Sequence, residues 1–146
     1  MMSVCKANSI NSVYVSAAHK SSGKTIVSIG LSRLLKNLNH NVQTFKKGPD
    51  YIDMSWLASA AYQKCYNLDF NTQTKKEIFN FYNNKKADFN IIEGNKGLFD
   101  GLDLSGKDDN SAMSILLNVP VILVIDTQGI TRGIAPLLQG LSLIHI

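Results

Sequence analysis

Residues 18–25 read Ala-His-Lys-Ser-Ser-Gly-Lys-Thr, which fits A-x-x-x-x-G-K-T, a phosphate-binding loop whose first glycine is replaced by alanine. The stretch before it, Ser12–Ala17 (SVYVSA), is a short apolar run that predicts a strand. After it, Ile26, Ile29, Leu34 and Leu38 recur at roughly helical spacing, which predicts a helix over Thr25–Leu38. Strand, loop and helix in that order give the context a P-loop requires. Backbone N–H groups of Ser21, Ser22 and Gly23 and the helix N-terminus would then surround phosphate oxygens, with Lys24 on the β/γ-phosphates and the Thr25 hydroxyl on Mg²⁺. The other reading of SSGKT is a Ser/Gly turn with a helix N-cap; strand, spacing and helix together favour ATP.

Working outward, Asn41–Phe45 predicts a second strand that ends in the breaker-rich KKGPD, where Gly48-Pro49 stops regular structure. Tyr51–Ala61 and Thr74–Asn83 predict helices, and Asp88–Ile92 (DFNII) a third strand. A Gly/Asp/Ser-rich stretch over Gly94–Asp109 is followed by a helix near Asn110–Leu117, an apolar strand Val119–Ile125 (VPVILVI) and a helix from about Thr131. Strands alternating with helices indicate βαβ crossovers. The expected fold class is α/β, a P-loop NTPase-type parallel sheet with helices on both faces, and Val119–Ile125, lacking polar alternation, is the expected central strand. The final LSLIHI (Leu141–Ile146) is apolar and uncapped, so the domain is expected to run over 1–140, with 141–146 an atypical or foreign tail on a truncated chain.

At 146 residues one domain and one core are expected, burying about two-thirds of the unfolded surface. Hydrophobic content of 45% with 18% charged residues is globular, and no window reaches the roughly 18 apolar residues of a membrane span. Met1–Asn11 lacks the basic start, apolar run and cleavage site of a secretory signal, so a cytoplasmic location is expected. Cys5 and Cys65 form no CxxC and are expected to be reduced and structural. The net charge of +4 is scattered, with no basic stripe, which argues against a nucleic-acid partner.

Two acidic segments carry the remaining chemistry. Lys46-Lys47-Gly48-Pro49-Asp50-Tyr51-Ile52-Asp53 puts two carboxylates three apart beyond a strand end, where ligands bind in doubly wound sheets. The competing reading makes Asp53 a helix N-cap and Asp50 a turn residue. Glu93-Gly94-Asn95-Lys96-Gly97-Leu98-Phe99-Asp100-Gly101 follows the third strand directly. A carboxylate there, across the sheet edge from a P-loop, is placed to hold Mg²⁺ directly or through water, while the glycines let backbone approach a ligand.

The loop is similar to those of the deviant-P-loop class, which includes dethiobiotin synthetase, the cobyrinic acid diamide synthases and the partitioning ATPases. Where the partitioning ATPases carry a signature lysine, four residues before the last loop glycine, this chain has His19, with Lys20 one step late; His19 itself reads as a loop residue. FKKGPDYID, EGNKGLFDG and PVILVIDTQGITRGIAPLLQG resemble, in order, three blocks of the cobyrinic acid a,c-diamide synthase family, whose usual forms are close to FKVGPDYIDP, EGVMGLFDG and PVVLVVDASG. The similarity runs from about Ser12 to Gly140.

That resemblance implies a dethiobiotin-synthetase-like synthetase domain that activates acetate carboxylates of a tetrapyrrole as acyl phosphates and displaces phosphate with ammonia. It implies that Lys24 and Thr25 bind triphosphate and Mg²⁺, with Thr25, Asp50 and Glu93 as the metal set. It further implies that Tyr51, Ile52, Asp53 and Asp100 orient the macrocycle, and that Lys46, Asp50, Asp53, Glu93 and Asp100 form the catalytic group. Lys46 would neutralise charge on the transferring phosphoryl group. The ammonia source would be glutamine through a C-terminal amidotransferase domain, expected to be absent from this chain, or free ammonia; a homodimer is an assembly the resemblance allows. Met54-Ser55-Trp56-Leu57 and Asn95-Lys96 depart from the commoner members and are similar to a subgroup found beside dissimilatory sulfite reductase, which implies sirohaem as an alternative substrate. A dethiobiotin synthetase-like carboxylase, a partitioning-type ATPase and an inactive nucleotide-binding fragment are the rival readings; the GPDYID and EGNKGLFDG blocks weigh against the first and His19 against the second.

Overall fold

Five strands, all parallel, lie in the order β3-β2-β4-β1-β5 in the computed structural model, which describes residues 11–143. The elements are β1 (Ser12–Ala17), α1 (Lys24–Asn37), β2 (Val42–Lys47), α2 (Ile52–Ala61), β3 (Tyr66–Leu68), α3 (Lys75–Lys85), β4 (Phe89–Glu93), α4 (Asn110–Leu117), β5 (Val121–Val124) and α5 (Ile134–Leu143). This is the α/β architecture with helices on both faces that the alternation of strands and helices predicts. The expectation of a reduced Cys5 lies outside the described residues, as do most of Met1–Asn11 and the end of the 141–146 tail.

Period-2 alternation along β2 separates two cores. Phe45 faces Leu68, Ile78 and Tyr82 of β3 and α3 and, with Met113 and Leu117 of α4, builds one core. Val42 faces the other way, to Val15, Ile91 and Ala61, with Val27, Leu31 and Leu35 of α1 packed against them. α1 and α2 therefore cover one face and α3 and α4 the other. α3 starts at a capping box in which Thr74 and Glu77 satisfy each other's backbone N–H groups.

Two expectations need correction. Val119–Ile125 is not the central strand: β5 is at the sheet edge among the described residues, with Val121 and Ile122 each more than a third exposed. An unbroken apolar run carries no information on whether both flanks of a strand are paired; among the described residues the centre belongs to β4. β2 also continues two residues past Phe45, through Lys46 and Lys47, because β3 pairs with it at Phe45↔Tyr66, Lys46↔Asn67 and Lys47↔Leu68. β3 itself has three residues, too few to show a period.

Candidate active site

The C-terminal ends of β1, β2 and β4 come together at one edge of the sheet, where doubly wound folds bind ligands. Lys46 of β2 and Glu93 of β4 are register partners, so their side chains leave the sheet side by side. β1 runs into the P-loop, and α1 begins immediately after Gly23. That glycine has φ +90 in the left-handed region and provides no side-chain cap. The first N–H groups of α1 thus remain without a side-chain acceptor, as anion binding at a helix N-terminus needs. The N-cap reading of SSGKT fails on this point. Ser21 is also left-handed, φ +64, and Ser22 Oγ donates to the His19 carbonyl at 2.9 Å, so the Ser22 hydroxyl and His19 help hold the loop's own shape.

Ser21, Ser22, Gly23, Lys24, Thr25, Lys46, Asp50, Asp53 and Glu93 all line one cleft of about 400 Å³. At its floor Lys46, 2% exposed, donates to Glu93 Oε1 at 2.6 Å and Asp53 Oδ2 at 2.9 Å, and lies 3.6 Å from Asp50 Oδ2. Thr25 Oγ1 donates to the same Glu93 oxygen at 2.9 Å and is 3.4 Å from Asp53 Oδ2. Burial alone would lower the Lys46 pKa, but the Glu93 charge and the hydrogen bonds to Glu93 and Asp53 hold it above the usual lysine value. For Asp53 burial works upward, and the Lys46 hydrogen bond and charge outweigh it, so its carboxyl sits below the usual range. Lys24 is lowered, first by burial and then by Lys46, despite Glu93, Asp53 and Asp100.

The two readings of GPDYID resolve by residue. Asp50 Oδ1 accepts from the Asp53 N–H at 3.1 Å, so Asp50 closes the first turn of α2, while Asp53, one residue inside α2, is free to point at Lys46 and Thr25. Tyr51 and Ile52 are largely exposed at the start of α2. Asp100 is not at the cleft floor; it accepts from the Gly97 N–H at 2.8 Å and lines a neighbouring cavity. Among the described residues no group of three or more His, Cys, Asp or Glu is arranged as a metal centre, yet Glu93 Oε2 is buried without any hydrogen-bond partner.

Sequence inspection missed Asn110. Fully buried at the start of α4, it accepts from Tyr14 Oη at 2.8 Å and from the Asn95 N–H at 3.0 Å, and donates to the carbonyls of Asn95 and Gly97. It fixes the loop that follows Glu93. Asp109 before it is a readable N-cap, accepting from the Ala112 N–H at 2.7 Å, but the burial of Asn110 depends on tertiary packing.

No family model matches the chain. Over 130 residues it is 46% identical to a cobyrinate a,c-diamide synthase of Magnetococcus marinus, covering 88% of this chain and 28% of that protein. Proteins of the same name from Caldanaerobacter subterraneus and Methanosarcina barkeri are 35% and 38% identical over 128 and 134 residues. By sequence the chain belongs to the cobyrinate a,c-diamide synthase family. It spans just over a quarter of the length of these cobyrinate a,c-diamide synthases, 27–28%. No described helix is long and apolar enough to cross a membrane.

Proposed function

We propose that this chain carries the ATP-binding part of an amide-forming ligase that converts acetate carboxylates of cobyrinate, or of a related tetrapyrrole, to amides. The supporting observation is a buried lysine held between two carboxylates, Glu93 and Asp53, directly beside the P-loop threonine. Carboxylate activation needs such a group: a substrate carboxylate oxygen attacks the γ-phosphorus, ADP leaves, and an acyl phosphate remains. Ammonia then adds to the acyl carbon, loses a proton, and phosphate departs. Both steps concentrate negative charge, which preorganised cations stabilise more effectively than water does.

Lys24 would bind the β/γ-phosphates, and Lys46 would meet the transferring phosphoryl group from the opposite side. The residues fit Mg²⁺, since Glu93 Oε2 is a buried oxygen with no partner and the Thr25 hydroxyl and the Asp53 carboxylate lie beside Glu93. Thr25, Glu93 and Asp53 would hold the ion, with Asp50 orienting Asp53. Mg²⁺ bound there supplies charge neutralisation of the phosphates. Tyr51, Ile52 and Asp100 would guide the macrocycle. Glutamine, through a domain beyond this segment, or free ammonia is the nitrogen source, in a cytoplasmic enzyme.

The test is ATP hydrolysis by the full-length protein with glutamine or ammonia. Cobyrinate should stimulate it; no stimulation across cobyrinate, sirohaem and nickel sirohydrochlorin sinks the substrate assignment. Lys24→Ala should abolish MgATP binding measured by calorimetry, and unchanged affinity refutes the loop assignment.

A further inference from the structure

The P-loop cleft, at about 400 Å³, is at the small end of what a drug-sized ligand fills, and it has to hold phosphates together with the carboxylate that attacks them. A four-ring macrocycle does not fit there as well. Only an acid arm reaches Lys46, and the ring has to rest on the rim outside. Such a ring is an apolar plate edged with carboxylates, so it calls for an apolar wall beside a cationic mouth. Lys20 and Lys96 line the cleft and supply the cations.

The wall stands on the side of α1 and α2. Thr25 and Asp53, 3.4 Å apart, join the starts of these helices. Ile26 follows Thr25 and lines the cleft, Ile52 precedes Asp53, and the two are 78% and 73% exposed. Trp56, 58% exposed, comes four residues after Ile52 and three after Asp53, spacings that make it a neighbour of both on the surface of α2. Long helical side chains lean towards the helix N-terminus, so the patch that Trp56 covers lies over the turn that carries Ile52 and Asp53, at the cleft. Further along α2, Tyr62 is already taken, with Arg33 of α1 stacked 4.1 Å from its ring. On the opposite rim Leu102 and Leu104 are exposed too, but they share their cavities with Asp108 and Asp103, whose charges repel a polycarboxylate. Of the two rims, the one with Trp56 suits the ring.

We propose that Trp56 is a specificity-determining residue on which the apolar part of the macrocycle rests, with Ile26 and Ile52 completing the wall, while one acid arm enters the P-loop cleft. This rests on the tetrapyrrole reading above and extends it by placing the ring against α2 and naming the side chain that holds it. An apolar contact made equally before and during phosphoryl transfer lowers KM and leaves kcat unchanged, so Trp56 serves binding and not the chemical step.

Cobyrinate and MgATP binding to the full-length protein, measured by calorimetry, test this. Trp56→Ala should weaken cobyrinate binding about tenfold, as loss of a tryptophan anchor does, with MgATP affinity kept within about twofold of wild type. Trp56→Phe should retain most of the cobyrinate affinity, and in cobyrinate-stimulated ATP hydrolysis Trp56→Ala should raise KM while kcat stays close to wild type. Equal cobyrinate affinity in wild type and Trp56→Ala overturns the role of Trp56 and leaves the enzymatic reading intact. If that equality is accompanied by loss of a dimer in sedimentation velocity, the face belongs to a second copy of the chain. A parallel fall in MgATP affinity also overturns the proposal, since it marks a general disturbance of the cleft. A wild type that binds MgATP but none of cobyrinate, sirohaem and nickel sirohydrochlorin overturns the tetrapyrrole reading and this inference with it.

Discussion

Lys46 Nζ lies 2.6 Å from Glu93 Oε1, between register partners on adjacent strands, with Lys46 2% and Glu93 0% exposed. A pair this deeply buried contributes little net stability, since desolvation offsets attraction, but removing one member leaves an uncompensated charge. Its place beside the P-loop and the Thr25 hydroxyl ties the cost to the site and not to the core.

Lys46→Met should therefore destabilise the fold by about 3 kcal/mol, read as a lowered urea midpoint. Adding Glu93→Gln removes the stranded carboxylate and should recover part of that loss. A double variant no more stable than the single one contradicts the pairing.

The pH dependence of stability has two limbs here. The Asp53 pKa is lowered in the fold, so its contribution is complete above the unfolded value of about 3.9 and is lost as pH falls through the folded pKa. The Lys46 pKa is raised, so its contribution is complete below about 10.4 and is lost as pH rises through the folded pKa. Asp53→Asn should flatten the acid limb of a midpoint-versus-pH curve and only weaken the alkaline limb, since Glu93 supplies the larger share of what raises Lys46 and Asp53 the smaller; an unaltered acid limb contradicts the assignment.

Asn110→Ala should cost about 2 kcal/mol or more, because it strands the buried Tyr14 Oη and Gly97 carbonyl and releases the half-buried Asn95 N–H and carbonyl. Since Asn110 ties Asn95 and Gly97 to α4, the variant should also weaken MgATP binding through a loosened loop after Glu93. Denaturation and calorimetry on the same sample separate the two effects, and a loss of stability below about 0.5 kcal/mol contradicts the network.

What the sequence disclosed and what it withheld follow from range. The P-loop, α1 and the α4 boundary are local patterns of spacing and capping, and they are where reading along the chain predicts them. KKGPD reads as a breaker because glycine and proline dominate it; only pairing with β3 shows that both lysines belong to the strand. That Asp53 takes the 2.9 Å hydrogen bond from Lys46 while Asp50 stays at 3.6 Å is equally invisible in a DYID tetrapeptide, since it depends on which residue α2 begins after. Asn110 and the buried Lys47 are polar residues whose burial is decided by loops distant in sequence.

Gly97→Ala tests the coupling of the two loops most directly. A Cβ at Gly97 would lie 2.7 Å from the Ala18 carbonyl oxygen and 2.7 Å from Asp100 Oδ2. Asp100 is a side chain and can rotate, at the loss of its bond to the Gly97 N–H. Ala18 is backbone, at the first position of the P-loop, and the next residue along, Leu98, donates to the Ala17 carbonyl at 2.7 Å. The strain therefore has to displace one loop from the other, at about 1–3 kcal/mol of overpacking. Because the P-loop is the less constrained partner, lying beyond the strand and beside an open cleft, it should shift and misalign its N–H groups. MgATP affinity should fall about tenfold or more, equivalent to at least about 1.4 kcal/mol, while Gly140→Ala, with nothing near its Cβ position, should leave affinity unchanged. Calorimetry on the full-length protein decides it: wild-type affinity in Gly97→Ala would mean that the P-loop does not depend on the loop after Glu93 for its shape.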